Sequence, residues 1–125
     1  MQIRKSFTFE AAHLLPHHPG KCARLHGHSY RLEVVLEGPL RDEGPAAGMV
    51  EDFEVISSVT KATVIAELDH RYLNDLIENP TAERIVTWIW SRLQPSLPLL
   101  TELVLWETPS ACVVMNKDDS PKLPG

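Results

Sequence analysis

From Ile3 to His13 the chain alternates. Ile3, Phe7, Phe9, Ala11 and His13 share one parity, while Gln2, Arg4, Ser6, Thr8 and Glu10 share the other. This is the pattern of a half-buried β-strand, whose successive side chains point to opposite faces. It commits the first residues to a sheet with one apolar face and places His13 at the end of that face. A second strand, roughly 28 to 37, sets Leu32, Val34 and Leu36 against Arg31, Glu33 and Glu37, and its inner parity is shared by His26 and His28. Residues two apart in an extended segment point the same way, so both imidazoles can aim at one ion, with Gly27 leaving room between them. A third nitrogen from His13 would leave the fourth position open, as in catalytic rather than structural zinc sites.

The 125 residues suffice for one domain with a real core and are too few for two. Residues 14 to 25, with Pro16, Pro19 and Gly20, read as a loop carrying Cys22, and Gly38 to Gly48 as an exposed connection leading to a short strand at Met49 to Asp52. From Phe53 to about Leu68, the positions Phe53, Ile56, Val59, Thr63 and Ala66 recur at helical steps. A second helix carries the stripe Ala82, Ile85, Val86, Ile89 and Leu93, with Asn79 able to cap it, Pro80 suited to its first turn and Pro95 ending it. Leu103 to Thr108 and Ala111 to Asn116 form a hairpin across Pro109-Ser110. The domain is thus expected to span 1 to 116, with 117 to 125 a flexible tail. The economical architecture is α+β, an antiparallel sheet with both helices on one face. Its open face and edges point to self-association.

A net charge of −5, with scattered basic residues, argues against a nucleic-acid surface and favours small-molecule chemistry. Cys22 and Cys112 could form at most one disulfide, and Cys22 lies within a histidine cluster, so a reduced setting is the simpler assumption. The N-terminal segment holds no apolar run of signal-peptide or membrane-spanning length, so the expected location is the cytoplasm.

An isolated histidine is most often a surface or satisfied core side chain, but three converging on one parity point to a bound metal, zinc ahead of iron or nickel. His17 and His18, in a proline-flanked loop, are weak members. Cys22 lies beside Lys21 and Arg24 and near the expected dication, surroundings that favour a thiolate acting as base or nucleophile. Cys112, in the apolar run Ala111 to Met115, is expected to be inert and buried. Asp69 and His70 suggest a carboxylate-oriented imidazole, although neighbours on a helix do not face each other, and a solvated pair is an equal reading. Glu107, on the side of Leu103 and Leu105, is a half-buried carboxylate needing a partner: an arginine, or the N–H groups of an amidine-like ring edge.

Phe9-x-Ala11-Ala12-His13, Cys22-x3-His26-Gly27-His28-Ser29-Tyr30, Leu68-Asp69-His70-x2-Leu73-Asn74, Asn79-Pro80-Thr81-x-Glu83 and Glu107-Thr108 together resemble the 6-pyruvoyltetrahydropterin synthase superfamily. The short Cys22 to His26 gap, followed by Ser29, is more similar to the 6-carboxytetrahydropterin synthase branch, which serves queuosine and other 7-deazapurine pathways, than to the biopterin branch. The resemblance implies the tunnelling fold, a four-stranded antiparallel sheet with two helices on one face, whose subunits join into barrels, commonly as a homohexamer with pterin sites at the interfaces. It implies Zn2+ on His13, His26 and His28, Cys22 as the proton-abstracting base, Asp69 and His70 as its relay, and Glu107 with Thr108 at the pterin ring. The implied substrate is 7,8-dihydroneopterin triphosphate, converted to 6-carboxytetrahydropterin, acetaldehyde and triphosphate; pyruvoyl formation by triphosphate elimination is the alternative. Lys21, Arg24 and Arg4 suit the triphosphate by charge alone.

Two other readings compete. Gly20-x5-His26-x-His28-x4-Glu33 fits the first motif of a cupin-type metal oxygenase, but Glu67 and Ile65 stand where its second motif wants Gly and Pro, and two helices sit badly in a jelly roll. A non-catalytic module with a structural metal would instead leave Cys22 without a role.

Overall fold

The computed structural model describes residues 1–120. Strand β1, Gln2–His13, runs antiparallel to β2, His26–Glu37, along its whole length, with Phe7 opposite Leu32, Phe9 opposite Tyr30 and His13 opposite His26. Strand β3 is Arg71–Tyr72, β4 is Leu100–Thr108 and β5 is Ala111–Asn116; the sheet order is β3-β1-β2-β4-β5. The resemblance implies a four-stranded sheet, and the described residues form five strands, because the two residues of β3 pair parallel to Ala11 and Ala12 and are too few to show a period. The short strand expected at Met49 to Asp52 is absent. There, Arg41 and Met49 close a loop through backbone bonds, and Asp52 accepts a hydrogen bond from the Glu54 N–H to cap the next helix.

That helix, α1, spans 53–68, with α-helical turns Phe53–Thr60, a π-helical stretch Lys61–Ile65 and a last turn Ala66–Leu68. The wide π turns shift which residues face inward. The buried positions are Ile56, Ser57, Thr60, Val64 and Leu68; of the expected face only Ile56 is among them, while Val59 and Thr63 are half-buried and Phe53 and Ala66 are exposed. Helix α2, Ala82–Leu93, buries the expected stripe, but its cap is Thr81, which accepts from the Arg84 N–H. Asn79 instead takes a positive φ of 46° and turns the chain ahead of Pro80.

Both helices close one face of the sheet. Phe7, Phe9, Leu32, Val34, Leu36, Leu103, Leu105 and Met115 form one cluster with Ile56, Val64, Leu68, Ile85, Ile89 and Leu93. Each such aliphatic side chain taken from water contributes about 1.5–3 kcal/mol, which holds α1 in place despite its β-branched residues. On the other face Glu33 is held by Arg4 at 2.9 Å and Arg31 at 3.0 Å, and Val35 and Val104 are buried. Cys112 shares the parity of Val114 rather than of Met115, so it is exposed and not the buried thiol expected from its apolar surroundings. Lys117–Asp119 form a 3-10 turn capped by Asn116; the remainder of the expected tail, 121–125, lies outside the described residues.

Candidate metal centre and its surroundings

The full-length pairing of β1 with β2 puts His13 and His26 on opposite ends of the last rung, with His28 opposite Ala11. Matching parity turns all three imidazoles to the helix-covered side, where their rings meet edge to face at 4.6–5.1 Å between centroids. Strand β4 adds Glu107. The ligating atoms of His13, His26, His28 and Glu107 all lie within 4.8 Å of one another.

The hydrogen bonds around these rings fix their tautomers. His13 Nδ1 is 2.8 Å from the Pro80 carbonyl oxygen, and His26 Nδ1 is 2.7 Å from that of Arg24. A carbonyl only accepts, so both Nδ1 atoms carry the proton and both neutral rings present a bare Nε2 lone pair. Those Nε2 atoms are 2.9 Å apart. Two lone pairs at that distance repel unless a cation lies between them or a ring takes up a second proton. The second is disfavoured: burial pushes the pKa of His13 and of His28 below the usual histidine range, only partly opposed by Glu107. His28 Nε2 is buried without a hydrogen-bond partner, although Glu107 Oε1 is 3.0 Å away. Oriented neutral imidazoles with a free nitrogen aimed at a common point are the donor set of a zinc-type site.

Tyr30 backs the cluster. It is fully buried, stacks on Phe9 at 4.9 Å, and its hydroxyl lies 3.5 Å from His13 Nδ1. Burial raises its pKa well above the ordinary tyrosine value, so it stays neutral beside the imidazoles.

Asp69 and His70 do meet, against the expectation for helical neighbours. Helix α1 ends at Leu68, and His70 adopts φ 60°, which swings its ring onto the Asp69 carboxylate at 3.0 Å. A left-handed non-glycine residue costs roughly 1–2 kcal/mol, and the docking onto β1 offsets it. The His70 N–H donates to the Glu10 carbonyl at 2.6 Å, and the Glu10 N–H donates to Asp69 Oδ1 at 2.9 Å. That second bond, with His70, holds the Asp69 carboxyl below the usual carboxylate range. The pair faces solvent, and His70 lines an open cleft of about 490 Å³ with Glu10, Gly27, His28 and Ser29.

Cys22 is half-buried in a 3-10 turn, Lys21–Ala23, in the loop joining His13 to His26; its carbonyl accepts from the Leu15 N–H at 2.8 Å. Among the described residues no hydrogen bond joins its side chain to His70. His17 and His18 lie exposed in the same loop, outside the cluster, and His18 Nδ1 accepts from the Gly20 N–H. Arg4 is occupied on the opposite sheet face by Glu33 and Glu102, so this chain does not offer it to the cleft. Thr108 closes β4 beside Glu107, and its hydroxyl accepts from the Ser110 N–H at the tip of the hairpin.

Three participants escape the sequence reading: the carbonyls of Pro80 and Arg24, and Asn74. The Asn74 side chain accepts from the Leu14 N–H at 3.0 Å and donates to the Leu14 carbonyl at 2.9 Å, clamping the residue next to His13. Asn74 lies within a family motif, but nothing in its local pattern marks a clamp. A larger groove of about 1110 Å³, between α2 and the turn at Lys117, brings together no cluster of ligating groups among the described residues.

The family model described as 6-pyruvoyl tetrahydropterin synthase matches residues 2–118. The chain belongs to the 6-pyruvoyl tetrahydropterin synthase family. Within that family it is 45% identical, over 97% of this chain and 95% of the relative, to a 6-carboxy-5,6,7,8-tetrahydropterin synthase of Synechocystis. It is 41% identical, over 80% of this chain and 83% of the relative, to a dihydroneopterin monophosphate aldolase of Pyrococcus furiosus. The 6-pyruvoyl tetrahydropterin synthase structure from Caenorhabditis elegans has the same fold, with a TM-score of 0.81 and 24% identity over 93% of this chain and 94% of that one.

Proposed function

We propose that this member of the 6-pyruvoyl tetrahydropterin synthase family is a zinc-dependent 6-carboxy-5,6,7,8-tetrahydropterin synthase. It converts 7,8-dihydroneopterin triphosphate to 6-carboxytetrahydropterin, acetaldehyde and triphosphate, serves queuosine and other 7-deazapurine pathways, and works in the cytoplasm as a homohexamer. The observation that carries this reading is the pair of bare Nε2 atoms of His13 and His26, with His28 and Glu107 beside them, in a chain so similar to a relative of that name. No helix among the described residues is long and apolar enough to cross a membrane.

In this reading His13, His26 and His28 hold zinc, which when bound supplies Lewis-acid polarisation of the substrate side-chain hydroxyls and so acidifies the neighbouring carbon. Cys22 takes the proton from that carbon. His70, held by Asp69, returns a proton elsewhere on the substrate, and its solvent-facing position lets it recharge. Glu107, with Thr108 beside it, accepts the amino and ring N–H hydrogens of the pterin and fixes the side chain over the three imidazoles. Cys22 and His70 lie on different segments with no hydrogen bond between them among the described residues, which suits a site completed between subunits.

A second reading, side-chain cleavage with the triphosphate chemistry omitted, is favoured by the similarity to the Pyrococcus aldolase. Anaerobic incubation of the zinc-loaded protein with 7,8-dihydroneopterin triphosphate, with products identified by mass, separates the readings. Acetaldehyde with 6-carboxytetrahydropterin is expected. A 6-hydroxymethyl pterin would establish the cleavage reading, a 6-pyruvoyl product the biopterin branch, and no turnover would reject all three.

A further inference from the structure

Glu107 is placed to do two things that exclude each other. The register between β4 and β5 shifts between Trp106 and Thr108, so Glu107 stands out of the ladder on a bulge. Its side chain, 27% exposed, reaches both the metal-binding imidazoles and the open surface. Oε1 lies 3.0 Å from His28 Nε2 and 3.9 Å from His13 Nε2. His13 Nε2 is a lone pair, because its Nδ1–H is used by Pro80, and His28 Nε2 makes no hydrogen bond despite its proximity. Among the described residues no arginine, lysine or backbone N–H pairs with the Glu107 carboxylate. A carboxylate facing the His13 lone pair and the unpartnered His28 Nε2, with no hydrogen-bond donor among the described residues, is stabilised by a cation placed between them.

We propose that Glu107 occupies the fourth position on the metal when no substrate is bound, and is drawn off it by the pterin ring, so that ring binding itself opens the position needed by the side-chain hydroxyls. This rests on the pterin reading above. Holding the ring's amino and N–H edge uses both carboxylate oxygens in one plane, so Glu107 must turn away from His28 to do it. The bulge leaves that residue free of the ladder and able to turn. Metal and ring therefore compete for one carboxylate. By linkage, a ring without a side chain weakens metal binding by the same factor by which metal weakens ring binding.

The test uses the full chain loaded with Co2+ or Zn2+ and a pterin lacking the C6 side chain. In the wild type, this pterin is expected to change the visible Co2+ spectrum and to lower Zn2+ affinity by roughly fivefold or more, with pterin affinity rising equally when the metal is removed. Glu107→Gln is expected to lower Zn2+ affinity about tenfold and to alter the Co2+ spectrum before any pterin is added. An unchanged spectrum and affinity in Glu107→Gln, while the wild type still binds pterin, overturns the handover and leaves the function reading standing. A wild type that binds no pterin, with or without metal, overturns the function reading and the handover with it. The wild-type titrations need no substitution, so a folding defect in Glu107→Gln cannot mask the answer.

Discussion

His13 and His26 face each other across the last rung of the β1–β2 ladder with their Nε2 atoms 2.9 Å apart, each ring held by an Nδ1–H bond to a backbone carbonyl. Both rings are fixed before any ion arrives, so ion binding orders little and relieves a repulsion. Zinc should therefore stabilise the fold. At a free concentration of 100 times Kd the gain is about 2.7 kcal/mol, visible as a raised Tm. His26→Ala should abolish that rise, and a Tm that does not respond to zinc in the wild type would rule out the metal site.

Acid should act on the metal-free protein through His13 and His28. Their folded pKa values lie below the unfolded value of 6.5, so the unfolded chain binds more protons between the two, and stability rises with pH across that window. Urea unfolding of chelated protein should show stability intact above about pH 7 and falling below 6.5, by at most about 1.4 kcal/mol per pH unit for each histidine. Asp69 acts with the same sign at lower pH: its lowered pKa gives stability that is present above 3.8 and is lost as the pH falls further. A flat profile from pH 7.5 to 5.5 would show that these imidazoles are not held neutral.

Asn74→Ala should cost about 1–3 kcal/mol, because it strips the Leu14 N–H and carbonyl of their partner in a part-buried place. Asn74→Asp should do no better, since it keeps the acceptor but sets a carboxylate oxygen against the Leu14 carbonyl. Both should weaken zinc binding through the adjacent His13. Denaturant midpoints and zinc titrations on the two variants read this out, and a stable Asn74→Asp would mean that only the Leu14 N–H bond matters.

Cys22→Ala should lower turnover by roughly 10²- to 10⁴-fold while zinc and pterin affinities stay near those of the parent, because the thiol lies outside the ligating cluster. Single-turnover assays beside equilibrium binding make the comparison. Full activity in Cys22→Ala would assign the base elsewhere.

Legibility in the sequence followed periodicity. The parity of Ile3 through His13 against that of His26 through Leu36 is broken only by Lys5, Ala12 and Val35, and a one-residue slip would turn a whole apolar set to solvent, so the facing of the three histidines could be read directly. The inward face of α1 could not, because π-helical turns at Lys61–Ile65 change the period mid-helix. Cys112 misled because an apolar run has no parity to read, and hairpin pairing alone decides that Met115 faces in. Thr81 displaced Asn79 as the cap of α2 because Asn79 tolerates a positive φ, and the resulting turn presents the Pro80 carbonyl to His13. Bonds of this kind, from side chain to distant backbone, leave no trace in residue spacing.

The loop bearing Cys22 is rooted at both ends on His13 and His26, which the ladder pairs independently of what lies between. Lengthening such a loop costs only a slowly growing closure entropy and moves neither ligand. In the proposed reaction the proton-abstracting group would thus be carried on an interchangeable cassette: a longer or shorter insert, or another acid in place of Cys22, would change the base while His13 and His26 keep their places on the ladder.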